Sequence, residues 1–291
     1  MIAFCQVSTA AHFSSASRRL RRTCCRNDTL TVGAPFCPTH RRNRVEKRPG
    51  TGVSILLPIA EERPQSRISP TCTFTPEKPA RVAVLVSGGG RSLENICEKI
   101  DAGTLTCCGV SLVIASKKTA GAIEKAERRA IPTSVLRLRD FERDTARFSD
   151  AISNVLDEYN IDLVVLAGWM HFYLIPPRYE GKVVNIHPSL IPAFCGKGYY
   201  GHRVHEAVLE FGAKVTGCTV HLADNKYDHG PIILQKAVPV LDSDYADDLA
   251  ARVFEAEKEA LPEAIQMLVA GKLWVDGRLI RVRSESVSKS V

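Results

Sequence analysis

The chain has 291 residues, 45% hydrophobic and 24% charged, enough for one large or two medium domains. No apolar run reaches the ~18 residues that a membrane-spanning helix needs. The net charge of +7 is unevenly placed: residues 1–79 hold 13 basic and 5 acidic residues, the remainder 26 and 27, so the folded part carries no mark of a nucleic-acid binder.

Residues 1–79 read as a disordered basic segment. Arg18, Arg19, Arg21, Arg22, Arg26, Arg41, Arg42 and Arg44 cluster without helical or strand periodicity, and prolines punctuate the rest. Only Val53–Ile59 is apolar enough to pair with anything, too little to offset the entropy of ordering. Three readings fit this segment: an Arg- and Ser-rich transit peptide, a natural arm, or an extension ahead of a downstream start. A folded domain is expected over 80–283 and a polar tail over 284–291.

The domain opens on Arg81–Val86, a continuous apolar run of the kind that forms a buried parallel strand. Ser87-Gly88-Gly89-Gly90-Arg91-Ser92 follows, and then Leu93, Ile96, Cys97 and Ile100 fall at helical spacing. Strand, glycine turn and helix expose backbone N–H groups to a phosphate, although the turn matches neither the Walker nor the dinucleotide pattern. The alternation continues: strand 110–115, helix 120–130, strand 133–136, a long amphipathic helix 141–159, strand 162–167 and strand 182–186. Such a pattern implies right-handed βαβ units in a doubly wound, mostly parallel α/β sheet, with ligands at the carboxyl ends of the strands. After Gly196–His202 a helix is expected to about Phe211, with His202 and His205 read as surface residues. An antiparallel strand pair (215–222 and 231–240), a closing helix from Tyr245 to about Val269 and a terminal hairpin complete the domain. The ten cysteines include no C-x-x-C pair and none beside a His at zinc spacing, so they read as reduced thiols and no metal is expected.

One stretch concentrates the chemistry. Val183-Val184-Asn185-Ile186-His187-Pro188 places Asn185 and His187 at i and i+2, on one face of a strand end. An amide beside an imidazole can hold an oxyanion and manage a proton; the alternative is a pair of turn caps. Asp228, on the loop between the antiparallel strands, can orient the imidazole and favour its cation if that loop folds over the Asn185 strand.

Four blocks carry a resemblance to the glycinamide ribonucleotide formyltransferases, the folate-dependent phosphoribosylglycinamide formyltransferases of purine synthesis. They are Val84–Leu93, Val164–Met170, Asn185–Phe194, and Val215–His221 with Asp228–Gln235. The resemblance implies a Rossmann-like formyltransferase fold and formyl transfer from 10-formyltetrahydrofolate to the amine of glycinamide ribonucleotide. It implies Asn185, His187 and Asp228 as catalytic residues, with the Asn185 amide and a protonated His187 holding the oxyanion. It places Gly90, Arg91 and Ser92 at the substrate phosphate, Glu257 at the ribose hydroxyls, and Met170, His171, Phe172, Tyr173 and Asn185 at the folate, with Arg143 or Arg147 as a further folate contact. The turn departs from the family's S-G-x-G-S-N at Arg91 and Ser92, and His171 stands where the family often has Arg. The expected partners are these two small molecules, with no membrane and no nucleic acid beyond a weak contact of the basic arm, in a cytoplasmic monomer or homodimer; a transit peptide would instead imply an organelle. Formyltetrahydrofolate deformylase is the rival reading. It usually carries a folded upstream domain, for which residues 1–79 lack the periodicity.

Overall fold

The computed structural model describes residues 74–283; the basic segment up to residue 73 and the tail at 284–291 lie outside the described residues. The elements in chain order are β1 (Ala80–Val86), α1 (Arg91–Asp101), β2 (Cys108–Ala115), α2 (Gly121–Arg128), β3 (Thr133–Val135), α3 (Thr145–Glu158), β4 (Leu163–Leu166), β5 (Val183–His187), α4 (His202–Phe211), β6 (Val215–Leu222), β7 (Ile232–Pro239), α5 (Ala246–Val269), β8 (Leu273–Asp276) and β9 (Leu279–Val282). The strands form one nine-stranded sheet in the order β3-β2-β1-β4-β5-β6-β7-β9-β8. β3 through β5 pair in parallel, and β5, β6 and β7 pair antiparallel.

The mostly parallel sheet and the antiparallel pair are thus as the strand pattern implied. The alternation along β1 divides the core. Ala80, Val82, Val84 and Val86 pack with α1, α2, α4 and α5 on one face. Ala83 and Leu85 pack with Phe148, Ile152 and Leu156 of α3 on the other. Both faces are covered, which is why β1 reads as an unbroken apolar run.

The strand order reverses at β1. The chain leaves it toward β2 and β3, then returns to β4 on its other side. The loops after β1 and β4 diverge there and leave a crevice at the carboxyl edge.

The helix expected over 141–159 is two pieces. Leu138–Phe141 is a single 3-10 turn, Glu142 and Arg143 take left-handed φ of 57° and 62°, and α3 begins at Thr145. The reason is Asp144, whose carboxylate accepts from the N–H groups of Ala146 and Arg147. Such a cap favours a fresh helix start over continuation.

α5 keeps a proline in its interior, Pro262. Proline has no N–H, so the carbonyl of Lys258 one turn earlier loses its helical partner. The Asn95 amide, buried on α1, donates to that carbonyl at 2.9 Å. This bond ties α1 to α5, the two helices that later frame a cavity. Asn95→Ala leaves the carbonyl unpaired and is expected to cost about 1–3 kcal/mol. Chemical denaturation of the variant should show a lower midpoint, and an unchanged midpoint would contradict this role.

Candidate active site

Two cavities open at the carboxyl edge of the sheet. The first, of about 350 Å³, is lined by the glycine turn Gly88–Gly90, Arg91, Ser92, His202, His205, Phe254 and Glu257. The second, of about 230 Å³, is lined by Trp169–Tyr173, Asn185, His187, the Gly198–Gly201 loop, His221 and Lys226–Asp228. Gly168, Ile186, Pro188 and Gly201 line both, so the two meet at the end of β5.

The first cavity is built to receive an anion. Gly90 is the N-cap of α1 at φ +70°, and no side chain caps the helix. A Cβ on Gly90 would stand 2.7 Å from that of Ala122, so only glycine lets the turn pack on α2 in this conformation. The free first-turn N–H groups face the cavity with the positive end of the helix dipole. Arg91 stacks over Phe254, 4.1 Å from the ring centroid. Glu257 lies deeper, and burial pushes its carboxyl up to about 7, with Arg91 opposing.

At the end of β5, Asp228 gathers the predicted residues. Its Oδ1 accepts from Asn185 Nδ2 at 3.2 Å and its Oδ2 from Gly196 N at 2.8 Å. His187 Nδ1 lies 3.6 Å from Oδ2. Burial alone would raise the Asp228 carboxyl, but the imidazoles of His221 and His187 and the Gly196 N–H together hold it below its ordinary value. It is therefore a carboxylate at neutral pH. The β6–β7 loop does fold over the Asn185 strand.

Two parts of the sequence expectation change. His187 is neutral in this arrangement, because burial lowers its pKa more than the Asp228 charge raises it. Its Nε2 lies 2.9 Å from the Phe194 carbonyl. A carbonyl only accepts, so Nε2 carries the hydrogen and Nδ1 is bare toward Asp228. Asn185 also faces inward: its second Nδ2 hydrogen goes to His221 Nε2 at 3.0 Å. His221 Nδ1 stands 3.0 Å from the Leu222 carbonyl, which fixes its hydrogen on Nδ1 and its lone pair on Nε2. A flipped Asn185 would set its oxygen against the Asp228 carboxylate. Both Asn185 N–H groups are thus committed, and the atom left for a reactant is Oδ1.

Of the proposed folate residues, Met170, His171, Phe172 and Tyr173 all line the second cavity. Phe172 and Tyr227 pack with centroids 4.7 Å apart, and His171 stands edge-on to Trp169. The Tyr173 hydroxyl is turned into the core, where it pairs with Ser153 at 2.9 Å, so Tyr173 offers only a wall. Arg143 is not brought to either cavity; it is exposed in the turn before α3. Arg147 lies 3.4 Å from Glu142. Reading the sequence missed His221 and His205. His205 is buried, on a stripe with Val204 and Val208, and its i−1 and i+3 apolar neighbours were the available signal. Among the described residues no group of three or more His, Cys, Asp or Glu is placed to hold a metal.

A model of the formyl transferases matches residues 80–265. The chain belongs to the formyl transferase family. It is 40% identical over 197 residues to the trifunctional purine biosynthetic protein adenosine-3 of Gallus gallus, covering 67% of this chain and 19% of that one. It is 38% identical over 192 residues to the chloroplastic phosphoribosylglycinamide formyltransferase of Vigna unguiculata, covering 65% and 60%. The solved glycinamide ribonucleotide transformylase 1 of Symbiobacterium toebii superposes with a TM-score of 0.66 at 36% identity, over 71% of this chain and 95% of that one. The chain spans about a fifth of the length of the trifunctional relatives it matches.

The first cavity carries a cost at Glu257. Its folded pKa of about 7 exceeds the ordinary value of 4.5. Its contribution is therefore fully present below pH ~4.5 and lost as pH rises through ~7. Glu257→Gln should gain stability relative to the parent between pH 5 and pH 8, on the order of 2 kcal/mol. Thermal denaturation of both at the two pH values tests this; a gap independent of pH would refute the raised pKa.

Proposed function

We propose that this formyl transferase moves the formyl group of 10-formyltetrahydrofolate to the amine of glycinamide ribonucleotide, the step of purine synthesis named in its relatives. The observation that carries the reading is the ionised Asp228 holding Asn185 and His187 where an anion-receiving cavity meets an aromatic one. A phosphorylated sugar suits the first cavity, through Gly90, Arg91 and Ser92 at the phosphate and Glu257 at the ribose hydroxyls. A pterin ring suits the second, against Met170, His171 and Phe172. The two reacting groups then come together over β5.

The amine nitrogen attacks the formyl carbon, and a tetrahedral oxyanion forms. The Asn185 Oδ1 accepts from an amine N–H and aims the lone pair. His187, neutral before reaction, takes the proton that the new ammonium must lose, and Asp228 beside it stabilises the imidazolium. Its Nε2–H donates to the oxyanion once released from the Phe194 carbonyl, a contact worth on the order of 3 kcal/mol in acyl transfer. Collapse breaks the bond from carbon to folate nitrogen, and His187 returns the proton to that nitrogen. Neither a metal nor a covalent intermediate enters.

Residues 80–283 are the proposed catalytic domain. The two small molecules are the proposed ligands of a monomer or homodimer. The Arg- and Ser-rich segment 1–79 suits a transit peptide, as the chloroplastic names of the plant relatives suggest, or an arm on a cytoplasmic enzyme. Among the described residues no helix is long and apolar enough to cross a membrane.

The test is the purified protein with 10-formyltetrahydrofolate, with and without glycinamide ribonucleotide. Transfer that requires the ribonucleotide is expected; formate release without it would make the protein a hydrolase. Asn185→Ala and His187→Ala should each lower turnover at least about a hundredfold, far more than they weaken folate binding followed by fluorescence.

A further inference from the structure

The wall of the anion-receiving cavity holds one side chain that the reaction above leaves idle. His205 sits in α4 and is 5% exposed. Its Nδ1 is sealed from solvent with no hydrogen-bond partner. A sealed N–H without an acceptor is far costlier than a sealed lone pair, so the neutral ring carries its hydrogen on Nε2. Nε2 is not among the sealed atoms, no acceptor among the described residues takes its hydrogen, and the residue lines the cavity. An imidazole here leaves the empty protein with an unpaired polar atom where a leucine would leave none.

The surroundings say what the hydrogen meets. His202 on the same helix stands edge-on at 6.5 Å between ring centroids. Arg91 from α1 and Glu257 from α5 line the same cavity, and His187 from β5 lies close enough to act on its charge. Burial first, then the neighbouring His202, His187 and Arg91, push its pKa down to about 4. His205 is therefore a neutral donor at physiological pH. Arg91 itself is held by an aromatic face, and no ion pair to it is found among the described residues. A neutral donor, an arginine with no carboxylate partner and the uncapped start of α1 all converge on one volume.

We propose that His205 is a substrate-binding residue whose Nε2–H donates to a phosphate oxygen of a phosphorylated pentose held between the turn at Gly90 and α5. This rests on the reading of that cavity as the phosphosugar site, and it adds a contact from a third element, α4. The consequence is selectivity. A neutral donor contributes little to unphosphorylated sugars, which Glu257 also serves, and much to the phosphorylated form. The anion would in turn favour a proton on the bare Nδ1.

The experiment uses the full chain and two variants. His205→Leu keeps the volume and removes the donor; His205→Gln keeps an N–H of similar reach. Calorimetric titration with ribose 5-phosphate and with ribose is paired with steady-state kinetics on glycinamide ribonucleotide. His205→Leu should weaken ribose 5-phosphate binding and raise KM for the ribonucleotide about tenfold or more. Ribose affinity and KM for the folate should change less than about twofold, and His205→Gln should recover most of the loss. A His205→Leu protein that melts like the parent and binds ribose 5-phosphate as tightly overturns the proposal, and so does a loss that Gln does not relieve. Transfer that is normal in the parent with phosphosugar binding unchanged in the variant rejects this inference alone. Absent transfer with weakened ribose 5-phosphate binding in His205→Leu rejects the formyl-transfer reading and leaves this inference standing.

Discussion

A single buried carboxylate organises the candidate site. Asp228 takes Asn185 on one oxygen and the Gly196 amide on the other, with His187 beside it. Were it neutral, its hold on the Asn185 amide and on the Gly196 N–H that anchors the Gly-rich loop would weaken. The charge survives burial because donors and imidazoles surround it, the condition for keeping an ion in a low-dielectric site. Its backbone takes a left-handed φ of 46°, an uncommon conformation for a residue with a Cβ, and one that Asp tolerates better than most.

Around this carboxylate, burial and charge compete with different outcomes. At Asp228 the contacts win and the group stays ionised. At His187 burial wins and the imidazole stays neutral. At Glu257 burial wins again and the carboxyl rises to about 7. The result is a base ready to accept a proton next to a charge that stabilises the product of accepting it, an arrangement suited to an attacking amine. The same competition explains why expecting a cationic His187 from the presence of Asp228 alone was incomplete: spacing names the neighbours of a group but not its solvation.

The scaffold places these groups by topology. Reversal of strand order at β1 separates the loops after β1 and β4. The β5 end lies beside them, and the antiparallel return through β6 and β7 carries Asp228 back over it. The first cavity also needs α1 and α5 at a fixed distance. The bond from Asn95 to the carbonyl orphaned by Pro262 supplies that tie, so a flaw in one helix becomes the joint between two. The match to the formyl transferases over residues 80–265 covers the elements that perform this placement.

The sequence by itself determined the element order, the sheet type and the face shared by Asn185 and His187. These rest on local periodicity, which the backbone geometry of a strand or helix enforces residue by residue. It also determined the glycine turn, since φ of +70° at Gly90 is a local demand. What only the tertiary structure decided depends on groups far apart in the chain. The Asp144 cap set the start of α3 at Thr145, inside the stretch that periodicity ran through, because a hydrogen bond outweighed propensity. His205 went inside, because α4 presents its Val204 and Val208 stripe to the core. The hydrogens of Asn185 and His187 were fixed by Asp228, His221 and the Phe194 carbonyl, partners that meet only after β6 has paired with β5. Protonation and hydrogen-bond direction follow from burial and from contacts across the fold, and neither is written in the spacing of residues along it.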